Sequence, residues 1–440
     1  MLGTRDLAGS RAHAIIGPMI DAELAKLAGW LAKVGLEGRS ETALLDGFCQ
    51  RALAAGLPLA RGIMFIDTLH PIHEGRAFRW EREKPQTTVT EYGPTTEGES
   101  GERWRGSPFF RMLADGESLR RWRIDAEAEV QFPMFSEMRE ASITDFVAVI
   151  NRFSADGVIG EMDCFYAGWT TDRPDGFADG EIAALERLTP FLGLAVKAAS
   201  LARIAETLVE TYLGRDAGHR VLQGRIARGV ADRIKTVLWF SDLRNYTRIS
   251  DSADPEQIIP LLNDYADAIV SSIHRHSGDV LKLIGDGVLA IFPAQDRARA
   301  CAAALDAAKE AREAVAALNA RRFAEGLPAT DMYLGLHLGV VFYGNIGSKE
   351  RLDFTVVGPA VNEVARIAAM CRSVDQPILF SSAFTASVAE DRRRFASVGR
   401  FALRGVGKPQ ELFTLDADAA DDPSFGAGQA YGSSGGTGQP

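Results

Sequence analysis

Between Ile234 and Met370 the hydrophobic period alternates between two and about 3.6, and this order restricts the fold more than any other feature of the chain. Thr236 to Asp242 (TVLWFSD) reads as a buried strand. Pro255 to His276 is amphipathic, with Ile258, Leu262, Tyr265, Ile269 and Ile273 on one side and Gly278 ending it. Asp279 to Ile284 and Val288 to Phe292 form a hairpin across Gly285-Asp286-Gly287. Ala298 to Ala320 is an Ala-rich helix and Tyr333 to Phe342 a strand. Asp353 to Val357 is another strand, a helix follows from Pro359 to about Met370, and further strands lie at Pro377 to Phe380 and near the end.

The order β-α-β-β-α-β predicts a ferredoxin-like sheet with helices on one face. The 440 residues exceed one ordinary domain, so a second is expected. Upstream, two helical patterns run from Ile15 to Ala55, broken near Gly35 to Arg39. Strands are predicted at Ala60 to Thr68, Ala77 to Arg82, Thr87 to Tyr92, Asp145 to Phe153 and Glu161 to Thr171. Gly93 to Gly106 reads as a loop and Ser154 to Gly160 as a turn. The class is therefore α+β, with a sensor-like module ahead of the ferredoxin-like domain. Asp179 to Tyr212 is helical, with Leu185, Leu188, Leu192, Leu201, Ile204 and Leu208 at helical spacing, Pro190 as a kink and Gly214 as a cap. The expected domains are 1–198, a helical connector at 199–232, a second domain at 233–416 and a disordered tail at 417–440, where core-forming residues run out.

The net charge of −10 gives no attraction to phosphate backbones, so no nucleic-acid partner is expected, and the basic run Arg392 to Arg394 reads as a solvated face. Cys49, Cys164, Cys301 and Cys371 are scattered, without metal-ligand spacing, which suits reduced thiols. No apolar run approaches the roughly 18 residues of a membrane span, and the patch at Ala14 to Ile20 meets Asp21 and Glu23 too soon for a secretory signal. The expectation is a cytoplasmic protein with no membrane contact.

Asp242 ends a buried strand and Asp286 sits at a hairpin tip; a ferredoxin-like sheet can bring these positions together. Two carboxylates there suit divalent metals whose shell a nucleotide completes, although either Asp alone fits a turn or cap equally well. The strand-to-helix passage through Leu243, Arg244, Asn245, Tyr246 and Thr247 offers backbone N–H groups to a triphosphate. Asn362 and Arg366, four apart on a helix, share a face and suit a phosphoryl centre, though an exposed helix face explains them as well.

These segments together resemble class III nucleotidyl cyclases. Phe240-Ser241-Asp242-Leu243-Arg244-Asn245-Tyr246-Thr247 is similar to the family's Phe-x-Asp-Ile-x-x-Phe-Thr motif, and Lys282-Leu283-Ile284-Gly285-Asp286 to its Lys-x-x-Gly-Asp element. Gly344-Asn345-Ile346-Gly347-Ser348 matches its Gly-Asn-Ile-Gly-Ser turn. Asp353 to Gly358, with Val361, Asn362 and Arg366, matches its Asp-Tyr-Thr-Val-Ile-Gly, Val-Asn and Arg block. Leu243 for Ile, Tyr246 for Phe, Pro359 for an acidic residue and Val364 for Ala depart mildly from the pattern. The resemblance covers about Ile234 to Leu415.

It implies that Asp242, Asp286 and the Leu243 carbonyl bind two Mg²⁺ (or Mn²⁺) per site, that Asn362 orients the ribose and that Arg366 stabilises the α-phosphate. Lys282 and Thr355 would choose the base. Guanylate cyclases usually carry Glu where Lys282 stands, so ATP is the expected substrate. Thr at 355 marks the class IIIb subgroup, often stimulated by bicarbonate. Metal and base-reading residues come from different subunits in this family, which implies a homodimer. A further phosphate-contacting cation is expected near the last strands, with Arg404 and Lys408 as the two candidates. The alternatives are a guanylate or mixed-specificity cyclase and a silent, nucleotide-sensing interaction protein. Gly168 to Glu186 resembles the closing strand, loop and helix of GAF domains, implying a small-molecule or protein signal at the N-terminal domain. His70, His73, Cys164 and Trp80 are its candidate ligand contacts, although ordinary packing or surface roles explain them better.

Overall fold

The computed structural model describes residues 7–84, 86–124, 131–153, 159–160, 162–388 and 395–415, with side chains from residue 22 onward. Two compact units divide the chain, Met1–Leu208 and Val209–Pro440. The expected tail, the basic run at 392–394, Glu161 and most of the turn at 154–160 lie outside the described residues, as do the side chains of 14–20.

The first unit contains α1 (Leu7–Leu36), α2 (Glu41–Ala54), β1 (Arg61–Asp67), β2 (Gly75–Glu81), β3 (Thr88–Tyr92), α3 (Gly98–Arg105), α4 (Pro108–Asp115), β4 (Leu119–Arg123), α5 (Pro133–Glu140), β5 (Asp145–Arg152), β6 (Cys164–Thr171) and most of α6 (Asp179–Leu213). Its strands form an antiparallel sheet in the order β3-β2-β1-β6-β5-β4. β5 and β6 read as near-continuous apolar runs because both faces are covered. Leu45, Phe48, Val147, Trp169 and Leu192 fill one face, and Phe109, Trp122, Phe135 and Phe146 the other.

The expected loop at 93–106 contains α3. Its sequence is strongly polar and carries Gly98 and Gly101, which reads as loop, and Trp104 holds it by edge contacts with Tyr166 and Phe110. α6 is long and apolar enough, by length and composition, to cross a bilayer. Leu185, Leu188, Leu192 and Val196 are nevertheless buried in the core of the first unit.

α6 ends at Leu213, and Gly214 turns the chain with φ 88° into α7 (Arg215–Leu222). The expected connector is thus two helices, the second belonging to the C-terminal unit. That unit continues with β7 (Ala231–Leu243), α8 (Tyr246–Ser252), α9 (Pro255–Arg275), β8 (Asp279–Ile284), β9 (Gly287–Pro293), α10 (Arg297–Ala324), β10 (Met332–Gly347), β11 (Leu352–Val357), α11 (Pro359–Val374), β12 (Ile378–Ser381), α12 (Ser382–Thr385), β13 (Phe395–Phe401) and β14 (Gln410–Leu415). The sheet order is β13-β14-β12-β10-β7-β9-β8, with β11 also paired to β10. Within it β7-α9-β8-β9-α10-β10 takes the spatial order β10-β7-β9-β8, the expected split β-α-β core.

Alternate residues of β7 serve opposite faces. Val237 and Trp239 join the core under α9 and α10, whereas Leu238 joins Ala360 and Val364 of α11. Helices therefore cover both faces, because the strand β11 and helix α11 that follow the split core return over the side α9 and α10 leave open.

Residues 344–347 are strand rather than turn: Gly344 pairs with Ala231 and Thr355, and the chain reverses after Gly347, at 348–351. A Cβ on Gly344 would lie 2.2 Å from the Val230 carbonyl, so this glycine permits a close approach of strands.

Candidate active site

β7 delivers Asp242 to the end of the sheet beside the β8–β9 hairpin. The Leu243 N–H donates to Asp286 Oδ2 at 3.1 Å, tying hairpin tip to strand end. Gly287 makes this approach possible, since a Cβ there would stand 2.9 Å from the Ser241 carbonyl. Asp242 Oδ1 is buried and has no hydrogen-bond partner. Burial first, and the neighbouring Asp286 second, push the Asp242 carboxyl up to about 6, against the opposing field of Arg372.

Two close carboxylates, one with an orphaned oxygen, fit a divalent cation that lacks further side-chain ligands. Among the described residues no group of three His, Cys, Asp or Glu side chains gathers at metal-binding distance, so substrate, backbone or water oxygens must complete any shell.

The rest of the first motif divides. Leu243 is buried, Tyr246 packs half-buried against the core, and Arg244, Asn245 and Thr247 are exposed. Arg244 N–H is taken by the Asp331 carbonyl, as Leu243 N–H is by Asp286. The expected phosphate cradle is therefore confined to the first turn of α8, which Asn245 enters with φ 56°.

Lys282 on β8 forms an ion pair with Asp353 on β11. Thr355, two residues along the strand, shares that face, while Phe354 and Val356 are buried on the other. Asn362 and Arg366 are exposed on α11, with no side-chain partner among the described residues. Arg372 near Asp242 is six residues further along this helix, so Arg366 lies about 9 Å and Asn362 about 15 Å away from it along the axis. One chain thus joins Asp242 to Asp286 and Lys282 to the β11 face, but it does not bring Asn362 or Arg366 into contact with the acidic pair. Arg404 and Lys408 both lie exposed in the β13–β14 loop, whose Gly405 and Val406 face Asn362 across a cleft of about 530 Å³.

Residues 231–417 match the family model of the adenylate and guanylate cyclase catalytic domain. This segment belongs to that family. An uncharacterized protein of Mycobacterium tuberculosis is 32% identical over 202 residues, covering 46% of this chain and 35% of that protein. Adenylate cyclase 1 of Rhizobium meliloti is 29% identical over 199 residues, covering 44% and 29%. The crystal structure of the adenylyl cyclase CyaB from P. aeruginosa aligns with TM-score 0.39 at 23% identity, over 42% of this chain and 96% of that one. The chain spans about a third of the length of the curated relatives it matches.

Two features of the cyclase domain escaped the sequence reading. Asp353 was visible as the residue two before Thr355, but its pairing with Lys282 depends on the contact of β11 with β8. His337 is buried, with Nδ1 2.9 Å from Ser381 Oγ and Nε2 3.3 Å from Glu363. Burial pushes His337 down to about 4 and pushes Glu363 up. This contact joins β10 to α11 at the residue after Asn362.

In the N-terminal unit Trp80 donates to Asp46, Cys164 is buried, His73 pairs with Glu91, and His70 accepts the N–H groups of Ile72 and His73. Each candidate ligand contact there has a structural role.

Proposed function

We propose that this protein is an adenylate cyclase, converting ATP to 3′,5′-cyclic AMP and pyrophosphate. The observation that carries the reading is the Asp242–Asp286 pair, with its unpartnered buried oxygen, inside a cyclase catalytic domain. Asp242, Asp286 and the Leu243 carbonyl would hold two Mg²⁺ or Mn²⁺. Bound there, the cations supply Lewis acidity at the ribose 3′-oxygen and neutralise the triphosphate. The 3′-hydroxyl gives its proton to solvent water, its oxygen bonds to the α-phosphorus as the bond to the bridging oxygen breaks, and pyrophosphate leaves.

Asn362 orients the ribose and Arg366 meets charge growing on the α-phosphate. The Lys282 ammonium donates to adenine N1, and the Thr355 hydroxyl accepts from N6. Guanine reverses that pattern, with a donor at N1 and an acceptor at O6.

The working form is a homodimer. The separation of Asn362 and Arg366 from the acidic pair supports it, and so does the exposed apolar surface of Leu283, Ile284, Val340, Phe342, Leu352 and Val357 around Lys282 and Thr355. An equal mixture of Asp242→Ala and Arg366→Ala chains should recover about a quarter of wild-type activity, since half the dimers hold one intact site. Confirmed heterodimers without activity would sink the shared site. Bicarbonate activation belongs to the same proposal and falls with a flat response at fixed pH. The six-stranded sheet of the first unit and its GAF-like closing segment support a regulatory role there, driven by a small molecule or a protein. The place of action is the cytoplasm.

The deciding assay supplies ATP or GTP with Mg²⁺ or Mn²⁺ to the full-length protein and quantifies both cyclic products, with Asp286→Ala as control. Cyclic AMP that disappears in the control supports the reading. Cyclic GMP as the main product overturns the base assignment, and no product from either nucleotide favours a silent domain.

A further inference from the structure

At the other end of β8 from the catalytic carboxylates, about 17 Å away by strand rise, lies a second cleft of about 720 Å³. α7 forms one wall, and the ends of α9 and β9 with the start of β7 form the others. Asp279 and Tyr343, both more than nine-tenths buried, line it. Asp279 Oδ1 accepts the Asp216 N–H at 3.4 Å, while Oδ2 has no partner. The Tyr343 hydroxyl, near the Asp216 carboxylate but outside hydrogen-bond geometry, has none either, and His274 Nε2 is a third orphan. Arg215 and Lys235 also border this cleft, and their side chains make no hydrogen bond or salt bridge with any described residue.

A native protein rarely leaves several buried polar atoms unpaired in one place. Here the unsatisfied groups come in both signs: a carboxylate oxygen at the base, two cations at the walls, and hydroxyl and imidazole groups that can donate or accept. A cation alone would meet Arg215 and Lys235, and an anion alone would meet Asp279 and Asp216. We infer that this cleft binds a small zwitterion, with an ammonium group on Asp279 and Tyr343 and a carboxylate on Arg215 and Lys235, the chemistry of a free amino acid. Burial pushes the Asp279 carboxyl up to about 6, so a bound ammonium would return interaction that folding has removed. The site is separate from the nucleotide site and does not rest on the proposed activity.

Thermal unfolding of the full-length protein with each common L-amino acid, and with acetate and methylammonium as the two separated charges, tests this. At least one amino acid should raise the midpoint by about 3 °C at about ten times its Kd. The rise should disappear in Asp279→Asn and in Lys235→Gln and persist in Asp242→Asn. If Asp279→Asn fails to fold, Lys235→Gln at the cleft wall decides alone. The inference is overturned if no amino acid shifts the midpoint, if the shift survives in the cleft variants, or if acetate or methylammonium alone reproduces it.

Discussion

In the N-terminal unit Asp145 is fully buried, and its oxygens accept from Arg121 at 2.7 to 3.2 Å and from the Phe177 N–H at 2.8 Å, with Arg123 at 3.7 Å. Glu41, in the same unit, is held by Arg203 at 2.9 and 3.1 Å and by Ser200 and Arg76 at 3.4 and 3.5 Å. In the C-terminal unit Asp242 and Asp279 each leave an oxygen unpartnered, and burial pushes both carboxyls up to about 6. Burying a carboxylate costs free energy in either place. The first unit offsets that cost with guanidinium groups, as a structural carboxylate requires. The second leaves it standing where a ligand can relieve it, and perturbed carboxyls of this kind cluster at functional sites.

The sharpest way to break this comparison is to neutralise one carboxylate of each kind. Asp242→Asn should lower cyclic AMP formation by about 10³-fold or more, since several kcal/mol of charge stabilisation are lost. Its unfolding midpoint should hold or rise, because a desolvated charge has gone. Asp145→Asn should do the reverse, costing roughly 3 kcal/mol of stability by stranding Arg121. Turnover and urea unfolding read both variants. Comparable destabilisation by the two would erase the distinction.

Acid should separate the units next. Burial alone would raise the Glu41 carboxyl, but the hydrogen bonds and charges of Arg203 and Arg76 outweigh it and hold the group below its ordinary 4.5. Its contribution is therefore full above that value and is lost as pH falls through the lower folded value. Asp279 runs from an ordinary 3.8 up to about 6, so its contribution is present below 3.8 and is lost as pH rises to about 6. Acidification from pH 6 to 4 should raise amide protection factors in the C-terminal unit, each taken against the intrinsic exchange rate at that pH. Below about 4.5 the protection factors of the N-terminal unit should fall. Asp279→Asn should weaken the first response, with Asp242 supplying the remainder, and Glu41→Gln should weaken the second. A C-terminal unit that loosens steadily from pH 6 to 4 would contradict the assignment.

The contrast between the two kinds of carboxylate was only partly legible in the sequence. β7, the β8–β9 hairpin and α11 announce themselves by period, and Asp242, Asp286, Asn362 and Arg366 by motif spacing, because those signals are local. Asp279 reads as the first residue of a strand, and nothing nearby indicates that α7 will seal it from water. The guanidinium groups that hold Glu41 and Asp145 come from 162 and 24 residues away. α3 is too polar and too rich in glycine to read as a helix, and aromatic contacts with β6 and α4 hold it. Pairings set by tertiary contact leave no periodic trace, and they decide which buried carboxylate is structural and which is free to react.

Asp353 tests the middle of the scale. It is about two-fifths exposed and paired with an equally exposed Lys282, so the ion pair should contribute little to stability, at most about 1 kcal/mol. If the pair exists to aim Lys282 at the base, Asp353→Asn should raise KM for ATP about fivefold, the loss of about 1 kcal/mol of binding, with kcat nearly unchanged. Discrimination against GTP should fall with it. Rescue by Asp353→Glu, which keeps the charge, would separate positioning from a general change in local field. A variant that instead unfolds as readily as Asp145→Asn would move Asp353 to the structural group, and Lys282 would then owe its place to the sheet alone.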